Sequence, residues 1–271
     1  MKIFKKKEHL KSEIGNKNSI SFIPTMGGLH KGHISLIKKA KKYKNKTLVT
    51  IYVNPKQFNK EEDFKKYPRN LSKDLKILKK LKVNYLYIPS YNDLFKFKTA
   101  NKIYLHKFSK NLCGKYRKGH FKGVINVINR FLEIIKPKYL FLGLKDFQQL
   151  ILIKKHILKN KINTNVISCK SIRKPNGVVY SSRNYNLNGN QLKIARKVYD
   201  YLIKSKRKIK KDLKFFNSKI FEAELLKLGV NKIDYLEIFN KKSLKKPKKS
   251  SDSFNIFIAY YLKKVRLIDN I

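Results

Sequence analysis

The chain has 271 residues, enough to bury a hydrophobic core in one large or two smaller domains. Its 66 basic and 17 acidic residues give a formal net charge of +49, a balance typical of nucleic-acid-binding proteins. However, only eight of the basic residues are arginines, and the lysines are spread from end to end. This distribution favours compositional drift in an AT-rich coding sequence. We therefore expect weak, non-specific affinity for polyanions and no specific nucleic-acid partner.

The cysteines and the apolar segments exclude several further classes. Cys113 and Cys169 have no CxxC spacing, which argues against a disulfide framework and against a zinc cluster. The N-terminus lacks the apolar stretch of a signal peptide, and no segment reaches the roughly 18 uninterrupted apolar residues of a membrane-spanning helix. We therefore expect a soluble, cytoplasmic protein with no membrane partner.

The segment from Ile20 to Ile37 predicts a strand, a glycine turn and a helix. A short apolar run closed by Pro24 is typical of a buried strand. Two consecutive glycines follow, where the backbone can turn and a ligand can approach closely. The pattern becomes helical from about Lys31, which places His30 and His33 at the helix N-terminus.

This arrangement favours a binding site for a nucleoside triphosphate of the His-x-Gly-His type. A helix N-terminus offers free N–H groups and the positive end of a dipole, and the two imidazoles can neutralise charge on a reacting polyanion. Two alternatives remain open at this point. The histidine pair could be half of a metal site, although no third His or Cys is close in sequence, or it could be two incidental surface residues.

The first part of the chain alternates between strand and helix patterns. Residues 1–15 predict a basic amphipathic helix; strands are predicted over residues 47–53, 83–89, 139–142 and 165–169, and helices over 74–81, 123–135 and 148–158. Such alternation indicates βαβ units and a parallel sheet with helices on both faces. Ligands bind beyond the carboxyl ends of such strands, where the polar segments 25–33, 54–58 and 143–149 fall.

The regular alternation of strand and helix patterns ends near residue 175. This change predicts a domain boundary and two domains, 1–175 and 176–271. Helices are expected over residues 190–209 and 212–228, a strand over 234–239, and a hairpin from strands at 254–262 and 265–268. We interpret the second domain as a smaller α+β domain, and its lysine runs as solvated surface.

Several motifs together resemble the pantoate–β-alanine ligase (pantothenate synthetase) family. They are the segments PTMGGLHKGH (24–33), VNPKQF (53–58), EDF (62–64), YPR (67–69), GHFKGV (119–124), GLKDFQQ (143–149), SSR (181–183) and RLIDN (266–270). The motifs stand in the family's order and cover nearly the whole chain.

The resemblance implies a two-step reaction: ATP and pantoate give pantoyl adenylate and pyrophosphate, and β-alanine then gives pantothenate and AMP. It also implies Mg²⁺ bound with ATP and a homodimer. The expected fold is α/β: a Rossmann-like parallel sheet of the HxGH nucleotidyltransferase type, which binds ATP and pantoate, followed by a C-terminal α+β lid domain.

The resemblance also implies roles for individual residues. The expected catalytic residues are His30, His33 and Lys145, with His33 favoured as the proton donor. The expected ATP-binding residues are Met26, Gly27, Gly28, Leu29, His30, Lys31, Gly32, His33, Gly143, Leu144, Lys145, Asp146, Ile172, Tyr180, Ser181, Ser182 and Arg183. Gln57, Gln149 and Asn54 are expected to bind pantoate, and Gln57 also β-alanine; neutral amides suit this task because they bind hydroxyl and carboxylate oxygens without competing as nucleophiles.

Other assignments stay open at this stage. No metal ligand is assigned. Arg117 and His120 belong to the family pattern, but either could be functional or structural. Arg266 and Asp269 are expected to fix the last strand.

Three positions depart from the family pattern. Cys113 replaces a usual acidic residue, Leu144 a usual Glu, and Tyr180 a smaller apolar residue. Two rival functions are considered. An adenylyltransferase on the same scaffold would share the His-x-Gly-His loop but would not need both glutamine loops. A basic binding protein on a degenerate enzyme fold would not be expected to retain the whole set of motif side chains.

Overall fold

The computed structural model describes residues 1–15, 19–59 and 61–271. They form two compact units, Met1–Ile172 and Arg173–Ile271. The division thus falls at 172/173, against the 175/176 expected from the sequence. Each unit has its own cluster of buried apolar side chains.

The first unit alternates strands with helices. Its strands are β1 (Lys2–Phe4), β2 (Ile20–Thr25), β3 (Lys46–Ile51), β4 (Tyr85–Tyr87), β5 (Tyr139–Gly143) and β6 (Asn165–Cys169). Its helices are α1 (Lys7–Ile14), α2 (Lys31–Lys41), α3 (Glu61–Lys65), α4 (Leu71–Lys80), α5 (Tyr91–Phe95), α6 (Leu112–Tyr116), α7 (His120–Ile135) and α8 (Phe147–Lys159). Short 3₁₀ helices lie at Pro55–Gln57, Lys107–Lys110 and Leu144–Asp146.

Six strands of this unit form one parallel sheet in the order β1-β4-β3-β2-β5-β6, which confirms the predicted parallel architecture. The chain builds outward from β2 through β3 and β4, and then returns to the other side of β2 to add β5 and β6. The direction of strand order therefore reverses between β2 and β5. Ligands of such sheets bind at this reversal, beyond the carboxyl ends of the strands.

Helices cover both faces of the sheet. Successive side chains of a strand point to opposite faces, and in β2 Ile23 lies in one buried cluster with Ile37 of α2. The ring of Phe22 instead meets Phe131 of α7 edge to face, with the centroids 5.6 Å apart. This placement confirms the prediction that helices flank the sheet on both sides.

The prediction that Pro24 closes the second strand is wrong. β2 continues to Thr25, and Pro24 is paired in register with Thr50 of β3. On the other side, the pairing of β2 with β5 ends at Phe22. Proline lacks the N–H that a ladder requires, so it is tolerated here because β2 has only one neighbouring strand at that level.

The predicted helix over residues 1–15 is also wrong in its first part. Residues Lys2–Phe4 form β1, which adds to the edge of the sheet beside β4, and α1 begins only at Lys7. The backbone N–H of Lys7 donates to the carboxylate of Asp93 at 3.0 Å. Both contacts join residues more than 80 positions apart, and the periodicity of a short segment does not contain such information.

Smaller differences concern helix ends and short helices. α4 begins at Leu71 because Asn70 caps it, its side chain accepting from the N–H of Lys73 at 2.9 Å. α7 begins at His120, before the predicted residue 123. The five-residue helices α3, α5 and α6 were not predicted, since so short an element has little periodicity.

The second unit packs two helices on an antiparallel sheet. Its elements are α9 (Gly189–Lys211), α10 (Ser218–Lys227), β7 (Lys232–Asn240), β8 (Phe254–Leu262) and β9 (Val265–Asn270), with the strands in the order β7-β8-β9. The predicted hairpin is confirmed. Arg266 and Asp269 of β9 form ion pairs with Asp234 and Arg173, in both cases at 2.7 Å, as their expected structural role requires.

Within the described residues, no helix has the length and apolarity needed to cross a membrane. Cys113 and Cys169 are both free and buried.

A buried histidine ties α8 to its surroundings in the first unit. Nδ1 of His156 accepts from the backbone N–H of Tyr104 at 3.3 Å, so the ring proton lies on Nε2, which is 3.0 Å from Oδ1 of Asn129 on α7. Asn129 in turn donates to the carbonyl of Asn101 at 3.2 Å. Burial lowers the pKa of His156, whose side chain is fully inaccessible, and therefore keeps the ring neutral in the folded state.

We predict that this histidine makes the protein less stable in mild acid. The unfolded state takes up a proton near pH 6.5 and the folded state only at lower pH, so the contribution to stability is complete above about pH 6.5 and is lost as the pH falls below it. Urea unfolding at pH 7.5 and 5.5 should show wild type losing up to about 1.4 kcal/mol per pH unit more than His156→Gln. An equal loss in the two proteins would contradict the assignment.

Candidate active site

The turn after β2 is built from two glycines in the left-handed region. Gly27 has φ +76° and Gly28 has φ +60°, a conformation that favours glycine. Thr25 holds the start of the turn: its hydroxyl donates to the carbonyl of Thr50 at 2.6 Å and accepts from the N–H of Gly27 at 3.2 Å. A Cβ on Gly27 would lie 3.0 Å from a carboxylate oxygen of Asp74, so a side chain there would also be crowded.

Asp74 of α4 completes this turn, and the sequence analysis missed it. Its two carboxylate oxygens accept from the N–H groups of Gly28 and Leu29, each at 2.8 Å, and the residue is 1% exposed. Burial raises the pKa of Asp74, while the two backbone N–H groups act in the opposite direction. The available signal in the sequence was an acidic residue among the apolar positions of α4. This signal does not show that the carboxylate binds the backbone of the glycine turn.

The histidine pair lies where the turn leads into α2. His30 is the N-cap of this helix, and its Nδ1 accepts from the N–H of Gly32 at 3.1 Å. The His33 ring lies beside it, with the two ring centroids 4.1 Å apart. Nδ1 of His33 is buried and has no hydrogen-bond partner among the residues that the structure describes. A buried nitrogen that lacks a partner is suited to a ligand that supplies one.

Both imidazoles are held in the neutral form. Burial, the neighbouring His33 and the charge of Lys145 lower the pKa of His30 to about 2. Burial lowers the pKa of His33 to about 4, where the carboxylate of Asp146 acts to raise it and Lys145 to lower it. At neutral pH the two rings therefore act as neutral hydrogen-bonding groups, and negative charge brought close to them would raise both pKa values.

Lys145 and Asp146 approach the histidine pair from the turn after β5, the strand next to β2. They belong to the 3₁₀ turn Leu144–Asp146 between β5 and α8, and Nζ of Lys145 lies 3.3 Å from Oδ1 of Asp146. Gly143 ends β5 and, like Leu144, is half-buried. The residues that follow β2 and β5 thus meet where the strand order reverses.

The segment after β3 adds two buried amides. Asn54 is fully buried and caps the 3₁₀ helix Pro55–Gln57, accepting from the N–H of Lys56 at 3.2 Å. Its own amide nitrogen donates to the carbonyl of Gly123 at 3.1 Å and lies 3.4 Å from Oε1 of Gln57. Nε2 of Gln57 contacts the sulfur of Met26, which brings this loop against the glycine turn.

Gln148 and Gln149 differ in environment although they are adjacent. Gln148 is buried: its amide donates to the carbonyls of Phe108 and Asn111, each at 2.8 Å, and accepts from the N–H of Cys113 at 3.1 Å. The side chain of Gln148 therefore holds the loop of residues 108–113 in place. Gln149 is half-buried on the first turn of α8 and follows closely after Lys145 and Asp146. Its role in binding pantoate stays a prediction.

The remaining predicted residues divide between the units. In the first unit, Leu29 is buried, Lys31 is exposed, Gly32 is half-buried, and Ile172 is the last residue. Tyr180, Ser181, Ser182 and Arg183 belong to the second unit. There Ser181 caps the 3₁₀ helix Ser182–Asn186, and the guanidinium of Arg183 donates to the carbonyl of Arg266 at 3.3 Å.

Together these groups suit a reaction at a polyanion. The N-terminus of α2, a lysine and two imidazole rings can bind phosphate oxygens, and the adjacent amides can bind an acid or a hydroxyl group. Among the described residues, no group of three or more His, Cys, Asp or Glu side chains could hold a metal ion.

Comparison with known proteins identifies the family. A family model described as pantoate-beta-alanine ligase matches residues 2–271. The chain belongs to this family. The resemblance stated from the motifs is therefore confirmed.

Individual relatives agree along their whole length. The pantothenate synthetase of Flavobacterium psychrophilum is 36% identical over 273 residues, covering 98% of this chain and 95% of the relative. That of Thermosipho africanus is 35% identical, covering 100% and 99%.

Solved structures agree as well. A crystal structure of pantoate-beta-alanine ligase from Francisella tularensis, complexed with beta-gamma ATP and beta-alanine, matches with a TM-score of 0.84 at 36% identity, covering 100% of this chain and 97% of that one. Pantothenate synthetase from Thermus thermophilus matches with a TM-score of 0.87 at 27% identity, covering 100% and 99%. The predicted fold class, a Rossmann-like sheet of the HxGH nucleotidyltransferase type with a smaller α+β unit, is confirmed.

We predict that Asp74→Asn damages the glycine turn of this pantoate–β-alanine ligase family member. An amide can accept one of the two backbone N–H bonds, but its NH₂ group would face the other donor. The buried N–H that loses its partner should cost about 1–3 kcal/mol in the free energy of unfolding, measured with urea. Asp200→Asn, which removes a half-exposed carboxylate paired with Arg196 on α9, is the matched control and should change stability by less than about 0.5 kcal/mol. Equal, small effects would show that the turn does not need Asp74.

Proposed function

We propose that this protein condenses pantoate with β-alanine to pantothenate at the expense of ATP, through pantoyl adenylate, and releases AMP and pyrophosphate. One observation carries the proposal: the two histidines and the Lys145–Asp146 pair follow β2 and β5 at the strand-order reversal, and the Asn54–Gln57 amides follow the neighbouring β3 and contact the loop after β2. The chain also belongs to the pantoate–β-alanine ligase family.

The first step activates the acid. A carboxylate resists attack by an amine, so one oxygen of pantoate attacks the α-phosphorus of ATP and the bond to pyrophosphate breaks, which gives a mixed anhydride. Catalysis of this step consists mainly of positioning and of stabilising charge on the phosphate oxygens. Lys145 supplies positive charge, and His30 and His33 bind along the triphosphate. We assign the proton-donating role to His33, whose buried Nδ1 has no partner among the described residues.

The second step forms the amide. The amine of β-alanine attacks the acyl carbon, the bond to the AMP oxygen breaks, and the amine loses a proton. Gln57, Gln149 and Asn54 are proposed to hold the pantoyl group, and Gln57 also β-alanine. Their neutral amides can bind hydroxyl and carboxylate oxygens and do not compete with the attacking amine.

The second unit is proposed to act as the lid domain. Ser181, Ser182 and Arg183 offer hydroxyl and guanidinium donors of the kind that bind phosphate oxygens. Closure of a lid domain over a bound nucleotide would also exclude water from the reactive anhydride.

Mg²⁺ is proposed to arrive with ATP as part of the substrate. Mg²⁺ sites often combine one or two carboxylates with substrate phosphates, and Asp146 provides a carboxylate that is 45% exposed beside the histidine pair. Triphosphate oxygens and water would supply the other ligands. The homodimer and the cytoplasmic location stay predictions.

The test of the function is release of pyrophosphate by the purified protein from ATP and Mg²⁺. We expect release that requires pantoate, and sustained turnover with AMP formation only when β-alanine is added. Release with a phosphorylated acceptor but not with pantoate would instead favour an adenylyltransferase. A folded protein that releases no pyrophosphate with any acceptor would refute the proposal.

We predict that His33→Gln slows adenylate formation by about 10²- to 10⁴-fold, the usual contribution of a positioned acid–base or oxyanion-stabilising group. Single-turnover pyrophosphate release measures this step separately from amide formation. His9→Gln, which changes an exposed histidine of α1, is the matched control. A rate for His33→Gln within a few-fold of that control would remove His33 from the chemistry.

A further inference from the structure

The N-terminal part of α7 lies against the 3₁₀ helix Pro55–Gln57. Gly123 allows this approach, because a Cβ at that position would lie 2.3 Å from the carbonyl oxygen of Lys56. The carbonyl of Gly123 also accepts the amide of Asn54 at 3.1 Å. The loop of residues 54–57, which carries Gln57, is therefore fixed to α7 through its first residue, Asn54.

The last residue of the same 3₁₀ helix is fixed by two further side chains. The carbonyl oxygen of Gln57 accepts from Nη2 of Arg117 at 3.0 Å and lies 2.7 Å from Nδ1 of His120. The two side chains also contact each other, with Nη1 of Arg117 3.1 Å from Nε2 of His120. We call these three groups the Gln57 clamp.

The contacts of the clamp fix the protonation of the imidazole. A carbonyl oxygen can only accept, so Nδ1 of His120 carries a proton. A guanidinium can only donate, so Nε2 carries a lone pair. His120, 9% exposed, is thus neutral and in one tautomer, and the guanidinium of Arg117 selects that tautomer. A second proton on the ring would place two N–H groups against each other.

The amide of Gln57 is oriented separately from its backbone. Its Oε1 lies 3.4 Å from the amide nitrogen of Asn54, and its Nε2 contacts the sulfur of Met26 in the glycine turn. If the backbone of Gln57 were free to move, these weak side-chain contacts alone would have to hold the amide.

We propose that Arg117 and His120 are positioning residues for the acid-binding pocket: by holding the carbonyl of Gln57, they set the direction of its amide toward pantoate. This inference rests on the proposed function, since it takes Gln57 to bind the acid. Neither residue touches the triphosphate site in this proposal, so their effect is specific to one substrate.

Steady-state kinetics test this specificity. His120→Ala should raise the KM for pantoate about tenfold and leave the KM for ATP within twofold, as expected for the loss of one buried hydrogen bond. His120→Asn can restore a donor to the carbonyl and should recover part of the loss. Arg117→Lys, which keeps the charge but not the forked geometry, should resemble His120→Ala. Lys122→Ala, on the exposed face of α7, is the control. Equal changes in both KM values, or none, would overturn the proposal.

Two measurements do not depend on activity and so separate this proposal from the proposed function. ¹⁵N NMR of His120 should show a protonated Nδ1 and an unprotonated Nε2 at neutral pH. Amide hydrogen exchange of Gln57 and Phe58, whose N–H groups donate to Asn54 and Pro55, should be at least tenfold faster in His120→Ala than in Lys122→Ala. The opposite tautomer, or equal exchange, would overturn the clamp even in an active enzyme.

Discussion

The buried carboxylate of Asp74 holds the glycine turn after β2, and the rest of the candidate site depends on this turn. The carboxylate of Asp74 accepts hydrogen bonds from the N–H groups of Gly28 and Leu29 in the left-handed turn. Because the turn is fixed, His30 reaches the position from which it caps α2, and His33 follows on the next part of the same helical turn. A helix far along the chain thus sets the direction of the histidine pair.

The electrostatics of this place are unusual for a chain with a net charge of +49. The histidine pair does not add positive charge to the candidate site, since burial and the charge of Lys145 keep both rings neutral. Two rings with centroids 4.1 Å apart would repel each other if both were protonated. A triphosphate that entered would supply the missing negative charge and raise both pKa values. Proton uptake and nucleotide binding are therefore coupled in the proposed mechanism.

The sequence pattern of a short segment predicted those elements that depend only on the residues within the segment. The glycine turn and α2 follow from a short run of residues, and β6 has the predicted bounds 165–169 because an apolar, β-branched segment lies between two turns. The motifs likewise predict that His30, His33 and Lys145 lie together, and the structure places the three side chains close enough to interact. Prediction failed where a distant partner decides the outcome. β1 forms by pairing with β4, and Pro24 fits a strand because the pairing of β2 with β5 stops at Phe22.

The site shows the same limit at single residues. Nothing in the pair Gln148–Gln149 indicates that the first amide serves the backbone of a neighbouring loop while the second remains half-buried beside the site. Asp74 was visible only as an acidic position in a helix. The motif did not assign a role to Arg117 and His120, because both side chains contact the carbonyl of Gln57, about sixty residues earlier in the chain.

The arginines connect composition to structure. Lysine makes up all but eight of the 66 basic residues, so a position that still holds arginine is informative about its geometry. Arg173 binds both oxygens of Asp269 and also stacks on Tyr199, and Arg130 donates to two carbonyls while it lies over two aromatic rings. Arg117 bridges the Gln57 carbonyl and His120. A planar fork can make such paired contacts, whereas an ammonium group, a single point charge, cannot. Arg117, Arg130 and Arg173 thus each stand where contacts in more than one direction are made at once.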